Sequence, residues 1–457
     1  MRIFESDHFD PLKVFLRLNP SGPGFLESLG QSDRVARYSI VPLQSTDSFL
    51  LSNNVLTHQC GNKTIAIAGD PFTTLASILA DRSIEPQQAS PFPGGFFGFF
   101  SYDLAAMIEN LPQNALRDLS VPELWLSWVT TTVVYNHVTG EVILDSLDPE
   151  INLEQLEQEV QNALLEPLAE VKAFYPLQPQ PVLKRKEFMQ RVEKARQYIA
   201  AGDIYQANLS CRFDTEKPAN VSINDLYQNL RQINPSPFAC LLQSPDVDIV
   251  SSSPERLVSL RNGIAETRPI AGTRPRGFTP PEDSKLGEEL LAHPKERAEH
   301  IMLLDLERND LGKVCKTGTV EVDELMVLER YSHVTHIVSN VRGELHDAKG
   351  PFDLIRATFP GGTITGVPKK RCMEIIDELE PVGRGIYTGS AGYISASGDI
   401  DLNILIRTFQ ITGDKLTYQV GAGIVADSDP ASEWDECLAK GQAMQLALGI
   451  EGVSDDR

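Results

Sequence analysis

Basic charge is what this sequence is short of. Its 457 residues carry 41 lysines and arginines against 63 acidic residues, a formal charge of −22. Nucleic acid and anionic membrane are thereby excluded as main partners, since either needs a basic face. An acidic chain that binds an anion must gather its cations locally. Long apolar runs are missing too: none approaches the roughly 18–20 residues that span a bilayer. No basic N-terminal region leads into a hydrophobic stretch, so the cytoplasm is the expected compartment and no membrane contact is expected. Cysteine is sparse, and Cys60, Cys211, Cys240, Cys315, Cys372 and Cys437 follow no paired spacing. That excludes a disulfide scaffold or a zinc site and fits reduced, mostly buried thiols. A phosphate loop is absent as well: Gly94, Gly95 and Gly98 interleave with Phe96, Phe97 and Phe99, and no lysine-bearing loop follows. Such glycines are expected to serve close backbone packing.

What is present is an ordinary globular composition, 41% hydrophobic and 23% charged, on a chain longer than one core usually serves. Two domains, or one large intertwined unit, are expected. Strand-like runs fill 36–41, 64–68, 95–102 and 124–135, the last rich in β-branched residues. Helical apolar spacing covers 151–171. Closely spaced prolines in YPLQPQPV (175–182) disfavour helix and sheet alike. They set the expected boundary between an N-terminal region, 1–175, and a catalytic region, 183–450. An amphipathic helix is predicted over 188–201, ended by Gly202 in the left-handed position. Further strands are predicted at 204–213, 238–242, 320–328, 333–341, 386–395, 401–411 and 416–421.

The rest is organised around residues 251–312. Asn262-Gly263 lies between two runs rich in Val, Leu and Ile, and a two-residue primed turn needs positive φ at both positions, so a hairpin is expected. Glu255 falls near the start of its first strand, Ala271 just past its second. Helical runs follow at 284–292 and from Lys295, divided by His293-Pro294. Glu296 and Glu299, three apart, project from neighbouring positions of one helix face. A last helix over 432–446 places Glu433, Glu436 and Lys440 at i, i+3 and i+7. A solvated face looks the same, yet with Glu299 these carboxylates also offer the sparse oxygen site that Mg2+ prefers. FPGGTITGVPKK (359–370) brings glycines and Thr363, past which a ligand could approach backbone amides, to a helix N-terminus where Lys369 favours an anion.

The motifs SPER (253–256), RPIAGTRPRG (268–277) and RAEHIMLLDLERNDLG (297–312) resemble the signature of the chorismate-using enzymes. That family includes component I of anthranilate synthase, component I of aminodeoxychorismate synthase, and the isochorismate and salicylate synthases. The likeness continues through ERYSH (329–333), FPGGTITGVPKK, GDIDLNILIRTF (398–409), GAGIVADS (421–428) and SEWDECLAKG (432–441). It implies an α+β fold of two large antiparallel β-sheets packed face to face with helices outside. It also implies Mg2+ held by Glu299 and Glu436, with Glu433 and Glu296 nearby. Tyr387, Arg407, Gly421 and Lys440 match positions that hold the substrate's carboxylates, and His336 the histidine near its ring. Glu255 matches the general acid that protonates the departing C4 hydroxyl, a role that calls for a raised pKa.

Two positions bear on the product. Members that add water carry a lysine base where this chain has Gln206, so an amide there argues for amination. Aminodeoxychorismate synthases typically have a lysine nucleophile where this chain has Ala271, and anthranilate synthases have alanine. Against that, YQANL (205–209), FPGG (359–362) and DLN (401–403) resemble the aminodeoxychorismate branch more. The expected product is 4-amino-4-deoxychorismate, on the route to 4-aminobenzoate and folate; the alternative is anthranilate plus pyruvate, on the route to tryptophan. No cysteine sits in a glutaminase-like nucleophile elbow, so ammonia is expected from a separate glutamine amidotransferase subunit. Glu27, Ser28 and Arg37 resemble the segment lining the tryptophan inhibitor pocket of anthranilate synthases; a plain strand and turn would read the same. Two other classes stay open. An isochorismate or salicylate synthase is disfavoured by Gln206, and a non-catalytic binder by the intact Glu255 and metal carboxylates.

Overall fold

The computed structural model describes all residues except 30–34, 36, 87–88, 170–176, 219–220, 331–333 and 451–457. Residue 36 of an expected strand, the first residues of the expected linker, and 331–333 of ERYSH therefore lie outside the described residues.

The N-terminal third contributes strands β1 (Arg2–Glu5), β2 (Gly24–Glu27), β3 (Tyr38–Ser52), β4 (Val55–Cys60), β5 (Lys63–Ile67), β6 (Gly95–Phe100), β7 (Leu124–Asn136) and β8 (Glu141–Ser146). Its helices are α1 (Pro11–Leu18), α2 (Pro71–Asp81), α3 (Ala105–Glu109) and α4 (Leu153–Leu165). The middle adds β9 (Gln180–Pro181), α5 (Arg185–Ala200), β10 (Gln206–Glu216), α6 (Ile223–Ile233), β11 (Phe238–Gln243), β12 (Asp248–Ser253), β13 (Arg256–Arg261), β14 (Ile264–Thr267) and β15 (Ile270–Pro275). Then come α7 (Pro280–Ala292), α8 (Pro294–Gly312), β16 (Glu321–Arg330), β17 (Val334–Glu344), α9 (Pro351–Thr358) and β18 (Gly366–Val367). The chain closes with α10 (Lys369–Leu379), β19 (Ser390–Ser395), β20 (Ile400–Asn403), β21 (Thr408–Thr412), β22 (Lys415–Ile424) and α11 (Pro430–Ala447).

The expected hairpin is there: Asn262 and Gly263 sit at φ 51° and 78° between β13 and β14. All ladders between these strands are antiparallel, and they resolve into two sheets that share the long strands β3 and β7. One sheet runs β1-β8-β7-β3-β2-β11-β12-β21-β22-β10, with β9 and β18 on β10. The other runs β5-β4-β3-β7-β6-β19-β20-β13-β14-β17, with β15 and β16 also on β17. The fork lies at register shifts in β3 between Pro42 and Asp47; extra residues there twist the strand away from one sheet and into the next.

Side-chain alternation then builds four layers. Phe97 and Phe99 of β6 meet Cys240 and Leu242 of β11 in a layer between the sheets. On the next positions, Phe96 and Phe100 face outward with residues of α2, α8 and α9. Ala239 and Leu241 face outward with residues of α1, α5, α6 and α11. Both sheets mix strands from 1–175 with strands from 183–450, as β2–β11 and β6–β19 show.

Two predicted strands are shorter than expected. The run 386–395 forms a strand only from Ser390, and 401–411 breaks between β20 and β21. There Ile404 N–H donates to Glu255 O at 3.0 Å and Leu405 N–H to Gly389 O at 2.9 Å, with Thr388 and Arg407 at positive φ of 61° and 51°. Apolar composition marked both segments for burial; their backbone bonds go to the neighbouring turn instead of to a ladder. The helix expected to 171 ends at Leu165.

Candidate active site

Glu255 sits at the turn from β12 into β13, buried, its N–H directed at Ser253 Oγ at 3.3 Å. Burial pushes its carboxyl up to about 7; the Thr363 hydroxyl opposes this, the Glu307 charge adds to it, and the Ile270 N–H and Lys440 oppose it further. Glu255 Oε1 and Thr363 Oγ1 are buried atoms without a hydrogen-bond partner. A buried orphan acceptor is costly, and at a ligand site it is an unspent recognition contact. Thr363 belongs to the loop between α9 and β18. A Cβ on Gly361 would lie 2.9 Å from Ile404 Cδ1, and one on Gly362 2.4 Å from Leu306 Cδ2, so a larger residue in this loop would have to push those side chains aside.

Lys440, on α11, donates to Gly421 O at 3.1 Å and pairs with Glu436 at 2.7 Å. Gly421 lies on β22, where an added Cβ would be 2.9 Å from the Tyr387 hydroxyl and 2.6 Å from Asn208 Oδ1. Lys440, Gly421 and Tyr387 thus converge. The lysine's charge reaches both Glu255 and Glu299.

His336 on β17 is buried, its Nδ1 3.1 Å from Gly272 O and 3.0 Å from Thr273 Oγ1. A carbonyl only accepts, so Nδ1 carries the proton and Nε2 the lone pair. Burial lowers this histidine to about 4, and the Arg407 charge lowers it further; it is neutral at physiological pH. Gly272, φ 64°, forms a bulge against β17, and Ala271 stands opposite Ile337, beside His336. Arg407 is fixed by its left-handed backbone and by donation to Asn234 Oδ1 at 3.1 Å.

Glu299 of α8 and Glu433 of α11 both feel the charges of Lys295 and Lys440. Glu299 accepts from Gln206 Nε2 at 3.0 Å. It is raised above the ordinary range by burial, with the Gln206 hydrogen bond opposing and Glu296 adding. Glu433 is likewise raised, by burial first and by Glu436 in part, while Lys295 and Lys440 lower both. Glu296 is 3.4 Å from Arg274 Nη1.

The sequence of the chorismate binding enzyme family matches residues 38–446. The chain belongs to the chorismate-binding enzymes. It is similar to an anthranilate synthase component I-like protein of Synechocystis sp., 50% identical over 360 residues, 78% of this chain and 73% of the relative. It is also similar to aminodeoxychorismate synthase component 1 of Bacillus subtilis, 42% identical over 456 residues, 98% and 96% of the two chains. The crystal structure of anthranilate synthase component I from Streptococcus pneumoniae superposes with a TM-score of 0.80 at 34% identity, covering 97% of this chain and 99% of that one. The protein is thus an enzyme of the aminodeoxychorismate and anthranilate synthase type, with the antiparallel two-sheet fold that the motifs implied.

The carboxylates expected to hold a metal need a separate test. Among the described residues no three Asp, Glu, His or Cys side chains form a ready metal cage, and Lys440 holds Glu436. The donor set is nonetheless of the right chemistry. Hard oxygens come from two helices, two of the carboxylates are raised, and the Gln206 amide oxygen is buried without a partner. Such a set fits Mg2+, which takes one or two carboxylates and completes its shell with water and substrate oxygen.

Sequence reasoning passed over two residues here. Arg384 is fully buried between the rings of Tyr102 and Tyr387, 4.8 and 5.6 Å from their centroids. It donates to Glu380 at 2.7 and 2.9 Å, to Ile364 O at 2.9 Å and to Asn208 O at 2.6 Å, tying together the segments that present Tyr387, Thr363 and Gly421. Glu307, a little over two helical turns beyond Glu299 on α8, is the other. Its place in LERND reads as a solvated charge, and only the fold buries it. Glu27, Ser28 and Arg37 line a different space, a cavity of about 240 Å³ with Tyr38, Arg256 and Tyr393. There Glu27 is raised by burial while Arg231 holds it at 3.2 Å.

Proposed function

We propose that the chain aminates chorismate in a Mg2+-dependent reaction, with ammonia from a glutamine amidotransferase subunit, to give 4-amino-4-deoxychorismate. The observation that carries this reading is Glu255: a buried carboxyl near pKa 7, one oxygen unpartnered, beside Thr363. Such a group still holds its proton in a good part of the molecules at neutral pH and can give it to a leaving hydroxyl. In the net exchange a C–N bond forms, the C4–O bond breaks, and the hydroxyl leaves as water with the Glu255 proton. The proton shed by nitrogen restores the carboxyl.

Gln206 supports amination. An amide held on Glu299 cannot take a proton from water near neutral pH. Arg407, Lys440, Tyr387 and the Gly421 amide hold the substrate's two carboxylates, Arg407 through its planar fork, with Thr363 and neutral His336 at the ring. Glu299 and Glu436, with Glu433 and Glu296 nearby, would hold Mg2+, which when bound neutralises the ring carboxylate and orients it. Position and local positive charge are the protein's main contributions. Glu27, Ser28 and Arg37, in their own cavity, are proposed as an effector pocket.

One observation favours a second product. Ala271, paired with Ile337 on β17, offers no amine where a lysine nucleophile would stand, which suits attack at C2 and release of pyruvate as anthranilate forms. Incubating the purified chain with chorismate, Mg2+ and an ammonium salt separates the readings. The expected result is a non-fluorescent product with the mass of 4-amino-4-deoxychorismate and no pyruvate. Fluorescent anthranilate with pyruvate establishes the second reading; isochorismate formed without ammonia overturns both.

A further inference from the structure

Glu307 is a buried carboxylate to which the proposed reaction gives no role. Its Oε2 accepts from Thr267 Oγ1 at 3.0 Å, and its Oε1 from Gly362 N–H at 3.3 Å. Thr267 Oγ1 also lies 3.1 Å from Leu257 O, two residues past Glu255. Gly362 precedes Thr363, and a Cβ on it would meet Glu307 Oε1 at 3.0 Å. One side chain on α8 therefore touches both segments that build the surroundings of Glu255: the β13–β14 hairpin and the 359–366 loop.

We propose that Glu307 is a positioning residue for the proton donor, tying the Gly362–Thr363 loop to the β13–β14 hairpin and setting a second buried carboxylate near Glu255. This rests on the role given to Glu255 above. The groups that face Glu307 are Asp310 on its own helix, Lys369 on α10, Thr267, Gly362 N–H and Glu255. Lys369 is already committed, pairing with Asp310 and donating to Thr358 O at 2.9 Å. Asp310 takes Lys313 as well, at 2.8 Å. The cations here thus neutralise Asp310 first. Burial leads in raising Glu307 to about 7, with Asp310 adding and Lys369 opposing, and the Glu307 charge in turn helps to raise Glu255.

The test uses the whole chain. In Glu307→Gln an amide oxygen still accepts from Gly362 or Thr267, while the charge beside Glu255 is gone. The expected result is an unchanged KM for chorismate and an alkaline limb of kcat displaced to lower pH by ~0.5 unit or more, since a lost neighbouring anion lowers a carboxyl's pKa. Glu307→Asp keeps the charge but not the reach, and is expected to keep the limb while losing kcat. Infrared titration of the protonated carboxyls in substrate-free protein is the second readout: Glu307→Gln should shift the Glu255 band to lower pH. A limb and a band in Glu307→Gln that match wild type overturn the proposal and leave Glu307 a purely structural residue. If wild type consumes no chorismate at all, the function proposed above fails, and the infrared titration still decides whether the two carboxyls are coupled.

Discussion

A single proton on Glu255 is the smallest feature with a measurable consequence. Glu255→Gln keeps the shape and removes the acid, so chorismate turnover is expected to fall by ~10²–10⁴-fold, the usual worth of a positioned acid; near-normal turnover with ammonia would remove the role. The wild-type kcat should decline as pH rises through about 7, where Glu255 ionises. Stability follows the same sign. The folded pKa lies above the unfolded one, so the folded state binds more protons between the two. Stability is full below about 4.5 and lost as pH rises toward 7. Arg384 makes the contrasting case. Replacing it with Met leaves Glu380 charged and buried without its partner, which should cost about 3–5 kcal/mol. Adding Glu380→Gln to Arg384→Met should recover part of that loss. Urea unfolding of the single and double variants checks both, and an Arg384→Met midpoint equal to wild type sinks the idea.

At the scale of elements, the site depends on backbones that approach too closely for side chains. Gly98 of β6 and Gly392 of β19 face each other across their ladder, at φ 158° and 155°. A Cβ on Gly98 would meet Trp125 O at 2.0 Å, and one on Gly392 Asp401 O at 2.0 Å. Backbone cannot yield as a flexible side chain does, so Gly98→Ala is expected to destabilise by more than the ~1–3 kcal/mol of ordinary overpacking. A drop in melting temperature no larger than that of a surface Gly413→Ala control would contradict this. The distance from β19 to Tyr387 is short in sequence, so kcat should suffer along with stability.

The whole molecule carries the two sheets through β3 and β7, and no line across the chain separates one sheet from the other. Residues 183–450 expressed alone would lose β6 beside β19 and β2 beside β11, leaving two unpaired strand edges and one face of the inter-sheet core without partners. That fragment is expected to be insoluble or unfolded, while the full chain melts in one cooperative transition. Circular dichroism of the fragment and calorimetry of the full chain test it; a soluble, native-like fragment would show that the sheets do not depend on each other as the pairings indicate.

The sequence by itself determined the family, through long ordered motifs, and most elements, because hydrophobic periodicity and the Asn262-Gly263 turn act over a few residues. Through the family resemblance it also named Lys440, Gly421, Tyr387 and Glu255 as candidate site residues. What it could not give were the positions where local preference yields to distant backbone: the break before Arg407, the left-handed Thr388, and the fork in β3. Nor could it show that Lys440 reaches Glu436, Glu255 and Glu299, or that Glu307 and Arg384, which read as ordinary surface charges, are buried. Burial is a property of elements far apart in the chain meeting in space, and it is burial that turns a solvated carboxylate into one that keeps its proton.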